Sequence, residues 1–219
     1  VLLAFDTASP TVTVALHDGT EVVAAATAEI GMRHGEQLAP LIEQVLAAAG
    51  ITPAGLTGIA VGVGPGPFTG LRVGLVTART LGHVLDVPVH GVCSLDALAA
   101  EAVASGVVEG EFLVATDARR KEVYLASYDG SGRRQGMPVV ERPAVVASDL
   151  PVVGEGAALY PESFPNARIP LRPDAGWLAR AVIGQQVEVT GPEPLYLRRP
   201  DAEIPRAAKA VLPDGAPAR

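Results

Sequence analysis

One cysteine, a 4% share of aromatic residues and no uncharged apolar run near the roughly eighteen residues of a membrane-crossing helix set the first bounds on this 219-residue chain. Cys93 alone allows no disulfide within the chain, which fits a reducing compartment. It follows Val92 in an apolar stretch and reads as a buried packing thiol rather than a nucleophile. Basic residues are nearly all arginine. With 17 basic and 24 acidic residues the net charge is −7, which argues against a chain that holds nucleic acid on its own. No leader peptide is legible at the start, where Val1 to Phe5 run straight into a strand, so a soluble cytoplasmic protein is expected.

Catalytic signatures are also missing. His17, His34, His83 and His90 are scattered, with no His-x-x-x-His or His-Glu-x-x-His pairing to hold a metal. No serine sits in a Gly-x-Ser-x-Gly elbow, and no Cys/His or Ser/His pairing is legible. Glu36, Glu43 and Glu101 read as solvated helix faces.

What the chain does have is Gly62-Val-Gly-Pro-Gly-Pro-Phe-Thr-Gly-Leu-Arg-Val-Gly74, set between an apolar run from Ile59 to Val63 and a longer one from Leu71 to Leu85. Its glycines and prolines exclude a regular element and make a strand-to-helix loop, with Thr69 as the expected N-cap. A glycine-rich loop before a helix can cradle phosphate, but Gly-Lys-Ser/Thr is absent, and a turn that lets the helix pack closely is the better reading. In that helix Gly70, Gly74, Ala78 and Gly82 recur every fourth residue and form one ridge. Glycines there cost about 1 kcal/mol each relative to alanine, which close packing must offset. The other positions are largely apolar, so the helix is expected to be buried on more than one side, one of them closed by another subunit.

Strands are expected at Leu2 to Asp6, Thr11 to Leu16 and Glu21 to Ala28, then a helix from Leu38 to Ala49 with Pro40 in its first turn and Gly50 as its stop. Thr57 to Val63 and Val87 to Val92 follow as strands, and Ser94 is expected to cap a helix through Ala104. The pattern then restarts. Glu111 to Thr116 and Glu122 to Tyr128 match the opening hairpin at a constant offset of 111, with Ala4/Ala115, Asp6/Asp117, Val12/Val123, Ala15/Ala126, Asp18/Asp129 and Gly19/Gly130 identical. This implies an internal duplication. A short helix from Ala144 to Leu150, a strand from Leu150 to Val153, a helix from Asp174 to Ile183 and a short segment from Leu195 to Leu197 complete the second half. The divisions are an N-terminal subdomain (1–106), a C-terminal subdomain (107–199) and a tail (200–219) that reads as disordered. Asp6 and Asp117 can be metal or phosphate-site carboxylates, or turn residues that bond local amides.

Leu3-Ala-Phe-Asp-Thr-Ala-Ser9, His34-Gly-Glu-Gln-Leu38, the Gly62 to Gly74 block, Asp117-Ala-Arg119 with Glu122-Val-Tyr124, and Leu195-Tyr-Leu-Arg198 resemble the TsaB family, also called YeaZ. The resemblance runs in order from Val1 to about Arg198. It implies an α/β fold of two tandem related subdomains of the actin-like ATPase (ribonuclease H-like) type, with mixed sheets flanked by helices. It also implies a non-catalytic scaffold for threonylcarbamoyl transfer to N6 of the adenosine beside the tRNA anticodon. Such proteins pair with the transferase TsaD, form homodimers alone, join the ATPase TsaE, and meet tRNA only through the complex, with no membrane role. This subunit would bind no cofactor alone; ATP and Mg would serve the complex. The related transferase holds its metal with two histidines four residues apart, and here the positions are His34 and Leu38. Pro67 stands where the family commonly has serine. The family's dimer surface is built from the first two helices, which gives Leu38, Leu41, Ile42, Val45, Gly70, Leu71, Arg72, Gly74, Leu75, Ala78, Arg79 and Gly82 as interface residues. The rival expectation is an independent ATP-dependent transferase, or a glycoprotease-like hydrolase, working with Asp6 and Asp117.

Overall fold

The computed structural model describes residues 1–28 and 33–198. The expected tail at 200–219 lies outside the described residues. Three strands, β1 (Leu2–Asp6), β2 (Thr13–His17) and β3 (Val22–Thr27), form an antiparallel meander. The helix α1 (His34–Ala49) leads through a single 3-10 turn to β4 (Gly58–Gly62). Then come α2 (Phe68–Leu85), β5 (Val89–Val92) and α3 (Ser94–Ala104). The second half repeats the plan with β6 (Phe112–Asp117), β7 (Val123–Tyr128), β8 (Val139–Glu141), β9 (Val152–Val153), α4 (Glu155–Leu159) and β10 (Ala167–Arg168). It ends with α5 (Ala175–Ile183) and β11 (Val189–Thr190).

The duplication is real in topology. The first sheet runs β11-β5-β4-β1-β2-β3 and the second β10-β9-β6-β7-β8. In each, an antiparallel meander is extended by two parallel strands on the far side of its first member. This is the duplicated ribonuclease H-like arrangement. The gapless offset of 111 does not survive in the register, however. Asp6 pairs with Thr13, whereas Asp117 pairs with Val123, so the second hairpin is one residue shorter. Faces differ as well. Ala4 packs with α5 residues between the sheets, while Ala115 packs with Ala157 of α4 on the far side. The residue identities of the two hairpins therefore do not mark equivalent positions, because a one-residue shift turns every side chain of a strand over.

The layers follow from which faces are apolar. Leu3, Phe5, Val14 and Leu16 pack against α1 and α2, while Leu2, Ala4, Ala15 and Ala60 pack against Leu178 and Ala179 of α5. On the second sheet Phe112, Val114 and Tyr128 meet Leu95, Leu98 and Ala102 of α3. So α3 and α5 lie between the sheets. The division at residue 106 consequently needs correction. After serving the second half, the chain returns: α5 covers the first sheet, and β11 pairs with β5 at its edge.

Local starts differ from expectation. α1 begins at His34, so Pro40 lies in its second turn, on the exposed face where its ring meets solvent. The N-cap of α2 is Pro67, and Thr69 lies inside the helix. Ser94 is the first residue of α3 rather than its cap, which is Cys93. The expected helix over 144–150 reduces to one 3-10 turn at Pro143–Val145.

Candidate functional site

In a duplicated fold of this kind, the two sheets' first hairpins face each other across a cleft, and Asp6 and Asp117 end those first strands. Asp6 is buried. Its Oδ1 accepts from the Ala8 amide at 2.7 Å and its Oδ2 from the Ser94 hydroxyl at 2.5 Å. The Ser94 hydroxyl in turn accepts from the Gly64 amide at 3.2 Å. Glycine is required at position 62, since a Cβ there would collide with Asp6 Oδ2. Burial holds the Asp6 carboxyl above the usual carboxylate range, although the hydrogen bonds from Ser94 and Ala8 pull the other way. The hydroxyl expected to cap α3 is thus diverted to fasten the Asp6 carboxylate to the glycine-rich loop.

Asp117 sits nearer the surface and is held by its own turn. Oδ1 accepts from the Arg119 amide at 2.8 Å, and Oδ2 pairs with the Arg119 guanidinium at 3.0 Å. Between the hairpins Ser9, Pro65, Pro67, Asp117, Arg119 and Leu171 close over a void of about 10 Å³. Small-molecule pockets span roughly 300 to 1,000 Å³. The void between the hairpins is far smaller than such a pocket.

His34 is buried, with Nε2 2.8 Å from the Ser9 carbonyl, and Leu38 is in the core. Among the described residues no group of three His, Cys, Asp or Glu side chains could hold a metal. Cys93 is buried, and burial, with the nearby Asp96, pushes its thiol up to about 12. Among the described residues no helix is long and apolar enough to cross a membrane.

The small-residue ridge of α2 faces inward. A Cβ at Gly70 would strike the Thr7 carbonyl, one at Gly74 the Thr7 hydroxyl, and one at Gly82 the Val89 Cγ2. Ala78 is fully buried, and the Thr7 hydroxyl donates to the Gly70 carbonyl at 2.9 Å. The glycines bring α2 down onto the end of β1 and onto β5 of its own sheet. Leu38, Leu41, Ile42, Val45, Leu71 and Leu75 join the same core. Of the twelve residues read as interface, these six and the four ridge residues Gly70, Gly74, Ala78 and Gly82 are thus interior. Arg72 and Arg79 alone are exposed. The reason is geometric: a four-residue period marks close approach but not which neighbour approaches.

The surface of the two helices carries other residues. α2 exposes Arg72, Val76, Arg79, Thr80, His83 and Val84, with Val76 at 61% and Val84 at 71% exposure. α1, packed beside it, exposes Glu36, Ala39, Pro40, Glu43, Ala47 and Ala48. α1 holds two glutamates and no Arg or Lys, whereas α2 holds two arginines and no acid. The sequence signal for this face was present in those charges.

Residues 27–147 match the family model described as TsaD, tRNA N6-adenosine threonylcarbamoyltransferase. An uncharacterized protein of Mycobacterium bovis is 43% identical over 92% of this chain and 93% of its own length. The tRNA threonylcarbamoyladenosine biosynthesis protein TsaB of Escherichia coli is 30% identical over 90% of this chain and 94% of its own. YeaZ from Pseudomonas aeruginosa superimposes with a TM-score of 0.73 at 32% identity, covering 90% of this chain and 99% of that one. Identity at this level, sustained over nearly the full length of both chains and accompanied by the same three-dimensional arrangement, means that the chain belongs to the TsaB (YeaZ) family.

Proposed function

We propose that this chain is a non-catalytic cytoplasmic subunit in the transfer of a threonylcarbamoyl group to N6 of the adenosine beside the tRNA anticodon. It acts by docking a TsaD-type transferase and, through that pair, recruiting TsaE. The observation that supports this reading is the narrow cleft: Asp6 is bound by Ser94 and Ala8, which line a void of about 10 Å³. In this reading ATP and Mg are used by the complex and not held by this chain alone.

The docking face is the outward side of α1 and α2. A partner of the same fold, or a second copy, presents its own first two helices, and two-fold packing sets the acidic, small-residue face of one α1 against the basic face of the opposing α2. Val76 and Val84 supply the apolar centre. The test is the pair Val76→Asp and Val84→Asp. Both are expected to leave the thermal midpoint unchanged, abolish co-purification with the transferase and stop threonylcarbamoyl incorporation into tRNA. Retained co-purification would show that the face is wrong. Mg-ATP turnover by the isolated chain, lost in Asp6→Asn, would favour the independent enzyme instead.

A further inference from the structure

After β11 the chain runs back across the cleft. Arg79 of α2 donates through Nε and Nη2 to the Pro192 carbonyl at 3.0 and 2.6 Å and pairs with Glu193 at 2.7 Å. The Leu195 amide donates to the Val63 carbonyl at 2.8 Å, within the glycine-rich loop. The Leu195 side chain packs against both the core beneath α1 and α2 and the core between α3 and the second sheet. The Tyr196 ring lies 5.0 Å from that of Phe68, the first residue of α2. Arg198 then donates to the Ala118 carbonyl at 3.1 Å and pairs with Glu122, both in the β6–β7 turn. Residues 192–198 are therefore a strap from α2, past the glycine-rich loop, to the hairpin of the second half.

Most of these ties are open to water. Phe68 and Tyr196 keep 38% and 41% exposure, and the Arg198 and Glu122 side chains keep 24% and 30%. Contacts of this kind are individually weak, so the strap can let go without either core unfolding. Its position gives that release a consequence. It crosses beside the narrow void, from the loop that lines it through Pro65 and Pro67 to the turn that lines it through Asp117 and Arg119. Phe68 also opens the outward row of α2, in which Phe68, Arg72, Val76, Thr80 and Val84 stand four residues apart and are all exposed. One short segment thus touches the docking helix and both sides of the cleft.

We propose that residues 192–198 are a releasable clasp that couples the docking face of α2 to the cleft. Clasped, they hold the two hairpins together and fix the first turn of α2 for a partner. Released, they let the hairpins part and leave that turn loose. The proposal rests on the docking reading above. A partner seated on α2 then favours the clasped state, and by linkage the clasped chain binds the partner more tightly by the same factor.

The test breaks the clasp at its far end, in the second half rather than on α1 or α2. R198E and E122R each set like charges side by side. E122R/R198E restores the ion pair, though not the bond to the Ala118 carbonyl. Binding to the TsaD-type transferase is read by titration calorimetry, and opening by amide hydrogen exchange of the full chain, alone and in the complex. Each single variant is expected to bind roughly 5- to 20-fold more weakly. Each should exchange faster at Leu195 and across the turn from Ala118 to Glu122, with β1 and α1 unchanged. The double variant should recover most of both losses, and the transferase should slow exchange at Leu195 in the unchanged chain. Single variants that bind like the unchanged chain overturn the coupling. So does a double variant as weak as the singles, which would make these residues direct partner contacts. Faster exchange spread evenly over β1 and α1 also overturns it, since the strap would then only add to global stability. If V76D binds the transferase normally, the docking face itself is wrong. If V76D loses binding while R198E and E122R keep it, the clasp alone falls.

Discussion

The two hairpins that open the two halves end in the same residue type and have opposite fates. Asp6 is sealed: its carboxylate is buried, bonded to Ser94 and Ala8, and roofed by Gly62. Asp117 remains near solvent, tied by a single arginine of its own turn. Ending the first strand of a hairpin therefore does not by itself fix what a carboxylate does. One strand end has become a fastening for the glycine-rich loop, and the other a base for a cationic turn.

The largest way to break this contrast is Gly62→Ala. The added methyl has nowhere to go but into the Asp6 carboxylate, and the expected loss is about 3 kcal/mol or more, read by urea denaturation. No comparable glycine guards Asp117 among the described residues. Next is Ser94→Ala, which leaves Asp6 Oδ2 buried without its donor and should cost about 1 to 3 kcal/mol. Asp117→Asn, losing an ion pair with a mostly exposed arginine, should cost below about 1 kcal/mol. Equal losses in the two variants would erase the distinction.

The two sides of α2 extend the same comparison. Gly74→Ala gains about 1 kcal/mol of helix propensity but drives a methyl into the Thr7 hydroxyl, for a net loss of about 1 to 2 kcal/mol. Val76→Ala on the exposed side should change stability by less than about 0.5 kcal/mol. Bulky replacements at Gly74 or Ala78 would thus report on the monomer's own packing and not on a partner.

A pH-dependent effect concerns a half-buried carboxylate away from the hairpins. Glu101 on α3 faces Asp174, the N-cap of α5, and Arg180 within that helix, and burial, with Asp174 adding to it, raises its carboxyl to about 7 from 4.5. The folded state then holds a proton that the unfolded state has lost. Stability from this group is present below pH 4.5 and is lost as pH rises through about 7. After solvent screening the change should be about 1 kcal/mol, and Glu101→Gln should flatten the pH profile of the urea midpoint across that window.

Much of the architecture was legible from the chain. The alternation of Val12, Val14 and Leu16, the periodicity of Leu38 to Ala49, and the glycine-rich block placed most elements of the first half. The second half was harder because its elements are short: two residues in each of β9, β10 and β11, five in α4, are below the length at which periodicity speaks. The ridge on α2 was visible, but its direction was not. Spacing shows that something comes close, and only the fold shows that it is Thr7 and Val89. Ser94 was read as a cap because local grammar favours that role; a tertiary bond to Asp6, 88 residues earlier, overrode it.

The return of the chain to its beginning has a temporal meaning. The inner face of the first sheet stays bare until α5 arrives, and its edge is unpaired until β11 arrives. On the ribosome the opening half is therefore made early and finished last. Leu2, Ala4 and Ala60 remain exposed to solvent or chaperone for most of synthesis, and a chain cut after residue 106 would be left with that face uncovered.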